Sequence, residues 1–335
     1  MKSIPSVSCL PLLLAVAALP LGACAAPPLD DGGAIEADHE DVGEAEEAMT
    51  TYRAETQISG QQSQDAPAVA AYDGTTYMVH RGQSSNNLYS STCTLYGDCW
   101  TPNQQIAGLS AKATVGLTAH QNKLHMAYLS GSTNNIHYSS YQAGGSWSQD
   151  VTLSYQSKKP PALASDPITQ NLMLVYVDTP YQVLQYTLYD GDWHSSYVVP
   201  GTYPGGNGST TKAPALAVHQ GRVHLVYENM TGALMHTSFD GHTWVTPNTV
   251  GSKYEQSSPA LTSWFGKLYL FHRGETDNNI WWSSSFDGLA WTSDVTVPAA
   301  LTRDSPSVAP LGSTPLLLAH SGNSSSNLWY QIFVP

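Results

Sequence analysis

Short segments in which apolar and polar residues alternate recur along most of the chain, with turn residues between them. One unit reads PALAVHQ from Pro214, RVHLVYE from Arg222 and ALMHTSF from Ala233, and we place its fourth segment at Trp244. Alternation rich in β-branched and aromatic residues predicts half-buried strands. Glycine-containing pairs predict the turns between them, at Gln220-Gly221, Thr231-Gly232 and Asp240-Gly241. Because no segment keeps a 3.6-residue apolar period, the pattern predicts an all-β chain.

Two landmarks repeat along the chain with nearly the same period. A tryptophan follows the third turn, with gaps of 47, 46, 51 and 47 residues, at Trp100, Trp147, Trp193, Trp244 and Trp291. The first strand of each unit starts at Pro67, Val115, Pro161, Pro214, Pro259 and Pro306. Four short antiparallel strands in every 40–50 residues, roughly, are typical of a β-propeller blade.

The two ends of the chain predict how the ring closes. The last unit stops at Pro335 after its third strand, NLWYQIFV. Tyr52 precedes Pro67 by 15 residues, the spacing that also separates Trp100 from Val115. We therefore expect Tyr52–Ser59 to complete the last blade, which removes an exposed sheet edge. The prediction is a six-bladed β-propeller of four-stranded antiparallel blades, closed by the N-terminal strand.

The first fifty residues predict export. Lys2 and the apolar run from Leu10 to Leu21 are typical of a signal peptide, which we assign to residues 1–23. Leu21-Gly22-Ala23-Cys24 resembles a bacterial lipobox, which implies lipidation of Cys24 and an outer-membrane or cell-surface location; ordinary cleavage after Ala25 is the alternative. Residues 25–50 contain nine acidic residues and no Lys or Arg, so residues 24–50 are predicted to be a disordered tether, and 51–335 the propeller.

Charge and cysteine content narrow the picture further. The formal net charge is −13, but from residue 51 onward 17 acidic residues face 12 basic ones, a net charge of −5. No basic patch indicates a nucleic-acid partner. Cys93 and Cys99 flank the segment TLYGD, so we expect a disulfide across that turn in an exported protein.

Several repeated residues are predicted to be structural. SFDGHTW and SFDGLAW resemble the Asp-box of sialidases with one residue deleted, so Asp240 and Asp287 are expected to accept N–H groups across their turns. The periodic tryptophans are expected to pack between blades. Four histidines fall at matching strand positions of two blades and are interpreted as packing residues: His120, His125, His219 and His224. No common hydrolase or nucleotide-binding motif is found.

The polar loops between the second and third strands carry the candidate binding chemistry. In blades 1, 5 and 6, and partly in blade 2, they combine amide, charged and hydroxyl side chains with a following aromatic residue. Hydroxyls of a sugar bond to such polar groups, and its C–H face stacks on an aromatic ring. The alternative is that these polar groups only satisfy loop backbone. The candidate ligand-binding residues are His80, Arg81, Asn86, Tyr89, Asn134, Glu228, His272, Arg273, Asp277, Asn278, Trp281, Trp282, Arg303, Asn327 and Trp329; no catalytic or metal-binding residue is assigned.

The string Phe271-x-Arg273-Gly274-x-x-Asp277-Asn278-x-Ile280-Trp281 resembles the repeat of bacterial PLL-type propeller lectins, and tectonin-like propellers are similar. The resemblance implies multivalent glycan binding between neighbouring blades, with fucosylated or methylated sugars as ligands. Blades 3 and 4 lack the R-G-x-x-D-N string, and those lectins have seven blades. Six-bladed fucose lectins match the predicted blade number, but spacing does not place their Arg-Glu-Trp set.

Two other functions fit parts of the sequence. A sialidase-like glycosidase would use Arg81, Arg273 and Arg303 to clamp a carboxylate, yet only four glutamates follow residue 50 and none lies in a catalytic motif. A non-catalytic scaffold would bind another envelope protein. No cofactor is expected, although Asp277, Asp304 and the Asn-rich loops also fit Ca²⁺, for which their spacing is not diagnostic.

Overall fold

The computed structural model describes residues 49–94, 100–202, 210, 212–255, 257–312 and 314–335. The predicted signal peptide, nearly all of the predicted tether, Cys24 and Cys99 lie outside these residues. Among the described residues, no helix is long and apolar enough to cross a membrane.

The strands form six four-stranded antiparallel sheets, which confirms the predicted blade number. Blade 1 contains β2 (Ala68–Tyr72), β3 (Thr75–Arg81), β4 (Asn87–Cys93) and β5 (Gln104–Ser110). Blade 2 contains β6 (Gly116–His120), β7 (Lys123–Leu129), β8 (Asn135–Tyr141) and β9 (Val151–Gln156). Blade 3 contains β10 (Ala162–Ser165), β11 (Leu172–Val177), β12 (Leu184–Tyr189) and β13 (Tyr197–Val198).

The second half of the ring repeats this order. Blade 4 contains β14 (Ala215–His219), β15 (Arg222–Glu228), β16 (Ala233–Phe239) and β17 (Asn248–Tyr254). Blade 5 contains β18 (Ala260–Trp264), β19 (Lys267–Arg273), β20 (Asn279–Ser285) and β21 (Val295–Leu301). Blade 6 contains β22 (Ser307–Pro310), β23 (Leu316–Ser321), β24 (Asn327–Val334) and, from the other end of the chain, β1 (Thr50–Gln62).

Strand β1 closes the ring as predicted. It pairs antiparallel with β24, from Thr50 opposite Val334 to Gln62 opposite Asn327, and is longer at both ends than expected. Ile58 of β1 is 2% exposed and belongs to an apolar cluster that spans blades 6 and 1. The first and last residues of the propeller therefore share one hydrophobic core.

The predicted start of the fourth strand is wrong in blade 4. Trp244 makes only an isolated bridge to Phe239, and β17 begins at Asn248. The indole ring packs against the Phe239 ring, with 5.2 Å between centroids. This packing fixes the residue at the turn, so the outer strand starts after the chain has passed it.

Most of the core lies between neighbouring blades. In one cluster, Val226 and Leu234 of blade 4 pack against Leu268 and Leu270 of blade 5, and all four are fully buried. Successive side chains of a strand point to opposite faces, so one face of each blade meets the preceding blade and the other meets the next. The predicted packing role of the tryptophans is confirmed, because these rings lie against such clusters: Trp100, Trp147, Trp193, Trp244 and Trp291.

The propeller has two ends with different connections. The upper end carries the loops between the second and third strands and the connections from one blade to the next. The lower end carries the turns between the first and second strands and between the third and fourth. Because Thr50 pairs with Val334, the upstream chain joins the propeller at the lower end.

Candidate functional site: clusters on the blade faces

Blades 1, 2, 5 and 6 each place three particular side chains on the face that meets the preceding blade. The first lies near the end of the second strand, and the second is its cross-strand partner on the third strand. The third lies immediately before the fourth strand in blades 1, 2 and 5 and within β1 in blade 6. The four sets, which we call the polar clusters, are His80–Tyr89–Asn103, Tyr128–His137–Asp150, His272–Trp281–Asp294 and His320–Trp329–Glu55.

The blade 5 cluster includes a cation from blade 4. His272 is buried, and its Nε2 lies 3.3 Å from Oδ2 of Asp294. Lys253 of β17 is 7% exposed; its Nζ contacts Oδ1 of Asp294 and donates to the carbonyl of Thr292 at 3.1 Å. Burial alone would raise the pKa of Asp294, but hydrogen bonds from His272 and Lys253 outweigh it and lower the pKa below its ordinary value. Asp294 is therefore a carboxylate at the contact between blades 4 and 5, with its side chain 24% exposed.

The other clusters repeat this arrangement with different groups. His320 is fully buried, and its Nε2 lies 3.2 Å from Oε1 of Glu55. In blade 2, Asp150 accepts a hydrogen bond from the Tyr128 hydroxyl at 2.5 Å, and its other carboxylate oxygen lies 2.7 Å from Nδ1 of His137. In blade 1, Nε2 of His80 lies 3.0 Å from Oδ1 of an asparagine, Asn103, instead. Burial lowers the pKa of His80, which favours its neutral form.

The upper loops hold the aromatic ring of three clusters against a glycine. A β-carbon built on Gly82 would lie 2.8 Å from the Tyr89 ring, and one built on Gly274 would lie 2.7 Å from Nε1 of Trp281. The same ring–glycine approach occurs at Gly322. In blade 5, Trp281 Nε1 donates to Oδ1 of Asp277 at 3.2 Å. These rings are only partly exposed, and their orientation is fixed by the loop.

The arginines predicted to bind ligand are engaged within the protein. Arg81 Nε lies 2.5 Å from Oδ2 of Asp65, and its Nη1 donates to Oδ1 of Asn86 at 3.1 Å. Arg273 donates to Oδ1 of Asn278 and, at 2.9 Å, to the carbonyl of Arg303. Arg303 donates to the carbonyls of Ser63 and Gln64 at 2.9 and 3.2 Å. These guanidinium groups thus bridge blades 5, 6 and 1.

The remaining predicted residues lie in several surroundings. Asn86 donates to the carbonyl of Gly131 in the neighbouring loop at 3.3 Å, and Asn134 accepts from Lys112. Asn327 accepts from Gln62 at 2.9 Å. Trp282 lies on the opposite side of its strand from Trp281 and packs against the core, with its ring centroid 5.8 Å from that of Tyr269.

Blade 4 has acidic groups of a different kind. Glu228 and Glu255 are each 5% exposed, and neither carboxylate oxygen of Glu255 has a hydrogen-bond partner among the described residues. Burial, reinforced by the nearby charge of Glu228, raises the pKa of Glu255 well above its ordinary value, although Lys212 opposes this. The positions that match Glu255 in blades 6, 1, 2 and 5 hold small residues, Ser63, Ala111, Ser157 and Thr302.

Seven members of the polar clusters were not predicted from the sequence: Glu55, Asn103, Tyr128, His137, Asp150, Asp294 and His320. Asn103, Asp150 and Asp294 each lie three residues after a periodic tryptophan, and Glu55 lies three residues after Tyr52. That spacing was available as a signal. In blades 3 and 4 the same positions hold Ser196 and Pro247, so only the other four blades have a carboxylate or an amide at this position.

The structural roles predicted for the turns are confirmed. Asp240 accepts the N–H groups of His242 and Thr243 at 3.0 and 2.8 Å, and Asp287 accepts that of Leu289 at 2.8 Å. Gly241 and Gly288 both have positive φ, as such turns require.

The paired histidines of blades 2 and 4 are buried in the packing, as predicted. His219 is held by the Ser263 hydroxyl and the Phe286 carbonyl at 2.9 and 2.8 Å. His224 Nδ1 lies 2.9 Å from Nε2 of His236.

Cys93 is in a disulfide; its predicted partner, Cys99, lies outside the described residues. Within the described chain, no group of three or more His, Cys, Asp or Glu side chains is arranged to hold a metal ion.

Comparison with known proteins shows the fold. No family model and no curated protein matches the sequence. AofleA from Arthrobotrys oligospora superposes with a TM-score of 0.60 at 14% identity, over 85% of this chain and 86% of that one. A fucose-recognising, six-bladed propeller lectin from Aleuria aurantia gives 0.56 at 12%, over 80% and 94%. The Hadza microbial sialidase Hz136 gives 0.60 at 12%, over 81% of this chain and 66% of that one.

The chain has the fold of six-bladed propeller lectins. Identities of 12–14% carry no residue role from those proteins to this one. One of the similar structures is a sialidase, so the fold by itself is compatible with both binding and hydrolysis. The function must be argued from the polar clusters.

Proposed function

We propose that this protein is a non-catalytic, surface-anchored carbohydrate-binding propeller. The observation that carries the proposal is the recurrence of a ring beside a polar group at one fixed position of the third strand. The ring belongs to Tyr89, Trp281 and Trp329 in blades 1, 5 and 6, and it is the imidazole of His137 in blade 2. A ring and a hydrogen-bonding group side by side suit the apolar face and the hydroxyls of a pyranose. Several such positions on one ring raise the avidity of weak individual sites.

The charges of the polar clusters favour neutral sugars. Asp150, Asp294 and Glu55 place carboxylates there, and these accept hydrogen bonds from sugar hydroxyls but repel a sialic-acid carboxylate. The three arginines of the glycosidase alternative are already engaged by internal acceptors. Fucosylated glycans are the first class to test, because similar structures are described with fucosides, among them SapL1 lectin with α-methyl fucoside.

A glycan array probed with the full mature chain tests this function. We expect binding to neutral, fucosylated glycans and at least about a ten-fold loss in the Trp281→Ala/Trp329→Ala variant. Met235 occupies the register position of Trp281 in blade 4, so Met235→Ala is the matched control and should bind normally. Unchanged binding by the double variant, or binding restricted to sialylated glycans, would contradict the proposal.

The glycosidase and scaffold alternatives have separate tests. Turnover of a fluorogenic sialoside that is lost in Arg273→Ala would establish the sialidase function in place of ours. Capture of one envelope protein, with no glycan bound, would support the scaffold.

The proposed anchor is the lipid on Cys24, and it places the protein in the outer membrane or on the cell surface. Mass spectrometry of the N-terminal peptide tests it: acyl chains on Cys24 are expected, and an unmodified N-terminus after Ala25 would contradict it.

A further inference from the structure

Exposed apolar side chains are concentrated at the lower end of the propeller. Among the described residues, large exposed hydrophobic side chains lie in lower turns or strand ends at Tyr52, Ile168, Val245, Phe265, Phe286 and Leu289. Three lie in upper loops or at an upper strand end, Tyr181, Met230 and Leu301, and four lie along the outer strands, Val151, Tyr197, Val198 and Val295. The lower end therefore carries more exposed apolar side chains than the upper end, and such a concentration is a candidate contact surface.

Four of the six lower side chains belong to blades 5 and 6. Phe265 lies in the turn between β18 and β19, and Phe286 follows Ser285, which pairs with Leu268 at the start of β19. Both rings therefore extend from neighbouring points of blade 5. Leu289 lies in the same turn as Phe286, and Tyr52 lies near the start of β1. We call Tyr52, Phe265, Phe286 and Leu289 the lower-rim patch; their exposed fractions are 60, 49, 65 and 60%.

The structure holds the patch outward by contacts to its backbone. The Phe286 carbonyl accepts from Nε2 of Gln220 at 3.2 Å and lies 2.8 Å from Nε2 of His219. The N–H of Leu289 donates to Asp287 at 2.8 Å. Neither apolar side chain is needed for these bonds. A rigid turn that presents Phe and Leu to solvent is suited to contact another apolar phase.

The upstream chain leaves the fold beside this patch. Thr50 begins β1 in blade 6, and Met49 packs in the cluster that contains Trp264, the neighbour of Phe265. Only 24 residues separate Met49 from Cys24, the proposed lipid attachment point. A lipid on Cys24 would therefore tether the propeller through its lower end.

We infer that the lower-rim patch rests on the lipid surface to which the chain is anchored. Aromatic and aliphatic side chains entering the headgroup region add apolar burial to the anchor. The acidic residues 25–50 disfavour an anionic surface, so the contact is with zwitterionic lipid. The inference rests on the proposed anchor but not on glycan binding.

Hydroxyl-radical footprinting of the lipoprotein on phosphatidylcholine–phosphatidylethanolamine vesicles tests the inference. Tyr181 and Met230 are 62 and 54% exposed and lie at the upper end, so they are internal controls for Phe286 and Leu289. After each rate is divided by the intrinsic reactivity of its residue type, we expect Phe286 and Leu289 to be oxidised at least about three-fold more slowly than the controls. Equal rates for the two sets would overturn the inference.

Vesicle flotation of the unacylated chain tests the lower-rim patch independently of a lipid on Cys24. The unacylated full chain should still float with these vesicles, and Phe286→Ser/Leu289→Ser should lower the bound fraction by about five-fold or more. Tyr181→Ser/Met230→Ser should leave it unchanged. Absence of the acyl chain alone overturns the anchor, whereas absence of vesicle binding by the parent chain overturns the patch. Self-association of the parent that the Phe286/Leu289 variant abolishes would instead assign the patch to a second copy.

Discussion

Blades 4 and 5 are neighbours with the same four-stranded plan, yet they place their carboxylates in opposite surroundings. In blade 5, Asp294 is partly exposed at the contact with blade 4, and His272 and Lys253 hold its pKa low. In blade 4, Glu255 is buried with no hydrogen-bond partner among the described residues, and burial raises its pKa. The same blade fold therefore holds a charged, partly exposed carboxylate in blade 5 and a buried carboxyl group whose ionisation is unfavourable in blade 4.

The contrast extends around the ring. Blades 1, 2, 5 and 6 carry the polar clusters, whereas blades 3 and 4 have Gln185 and Met235 at the ring position and Ser196 and Pro247 at the position near the fourth strand. Repeated blades need matching core residues but not matching face residues. Blades 3 and 4 form the same four-stranded sheets without polar clusters, so the fold of a blade does not require one.

The largest expected effect comes from breaking the blade 5 cluster. Asp294→Asn leaves the nearly buried Lys253 without its counter-charge, so we expect the free energy of unfolding to fall by about 3 kcal/mol. Urea denaturation at pH 7 measures it. Asp287→Asn, which changes an exposed turn carboxylate of the same blade, is the control and should cost about 1 kcal/mol or less. Equal losses for the two variants would show that the charge of Asp294 contributes no more to stability than that of an exposed turn carboxylate.

Glu255→Ser tests the other side of the comparison. Serine occupies the matching positions of blades 6 and 2, so we expect stabilisation by about 1–2 kcal/mol at pH 8. The folded pKa of Glu255 lies above the unfolded one, so its protonated form favours folding and stability is lost as pH rises through the folded pKa. The gain from Glu255→Ser should therefore shrink toward pH 4. A variant that is less stable than the parent at pH 8 would contradict this account of blade 4.

Acid should destabilise blade 4 through its histidines. Burial, with the neighbouring His236, lowers the pKa of His224 to about 3. The unfolded chain takes up this proton from a pH of about 6.5 downward, so stability is present above that pH and is lost as pH falls toward the folded value. We expect a loss of about 1 kcal/mol between pH 6.5 and pH 5 that His224→Met, the residue at this position in blade 3, reduces. An unchanged pH slope in the variant would contradict it.

The smallest expected effect is a gain. Gln185→Trp with Ser196→Asp gives blade 3 the two residue types that distinguish blade 5, and we expect one weak additional binding site. Ser196→Asp alone, which supplies no ring, should add none. Isothermal titration with the fucosylated ligand selected on the array measures both. If the double variant folds normally and binds no more ligand than the parent, a ring and a carboxylate are insufficient for a site.

Most of the architecture could be predicted from the sequence, because repeated landmarks at a fixed period specify repeated units. The pairing of β1 with β24 followed from the spacing between Tyr52 and Pro67. The start of β17 did not, since Trp244 interrupts the outer strand by packing. The candidate site was predicted only in part. The contact between Lys253 and Asp294 joins two blades across 41 residues, and no single unit of the repeat contains it.

In the proposed function, four of the six blades bind glycan and blades 3 and 4 do not. The most direct measurement is the number of ligand molecules bound per chain at saturation, by isothermal titration with a monovalent form of the best array ligand. Four sites are expected, falling to two in the Trp281→Ala/Trp329→Ala variant. Six equivalent sites, or a number that this variant leaves unchanged, would contradict it.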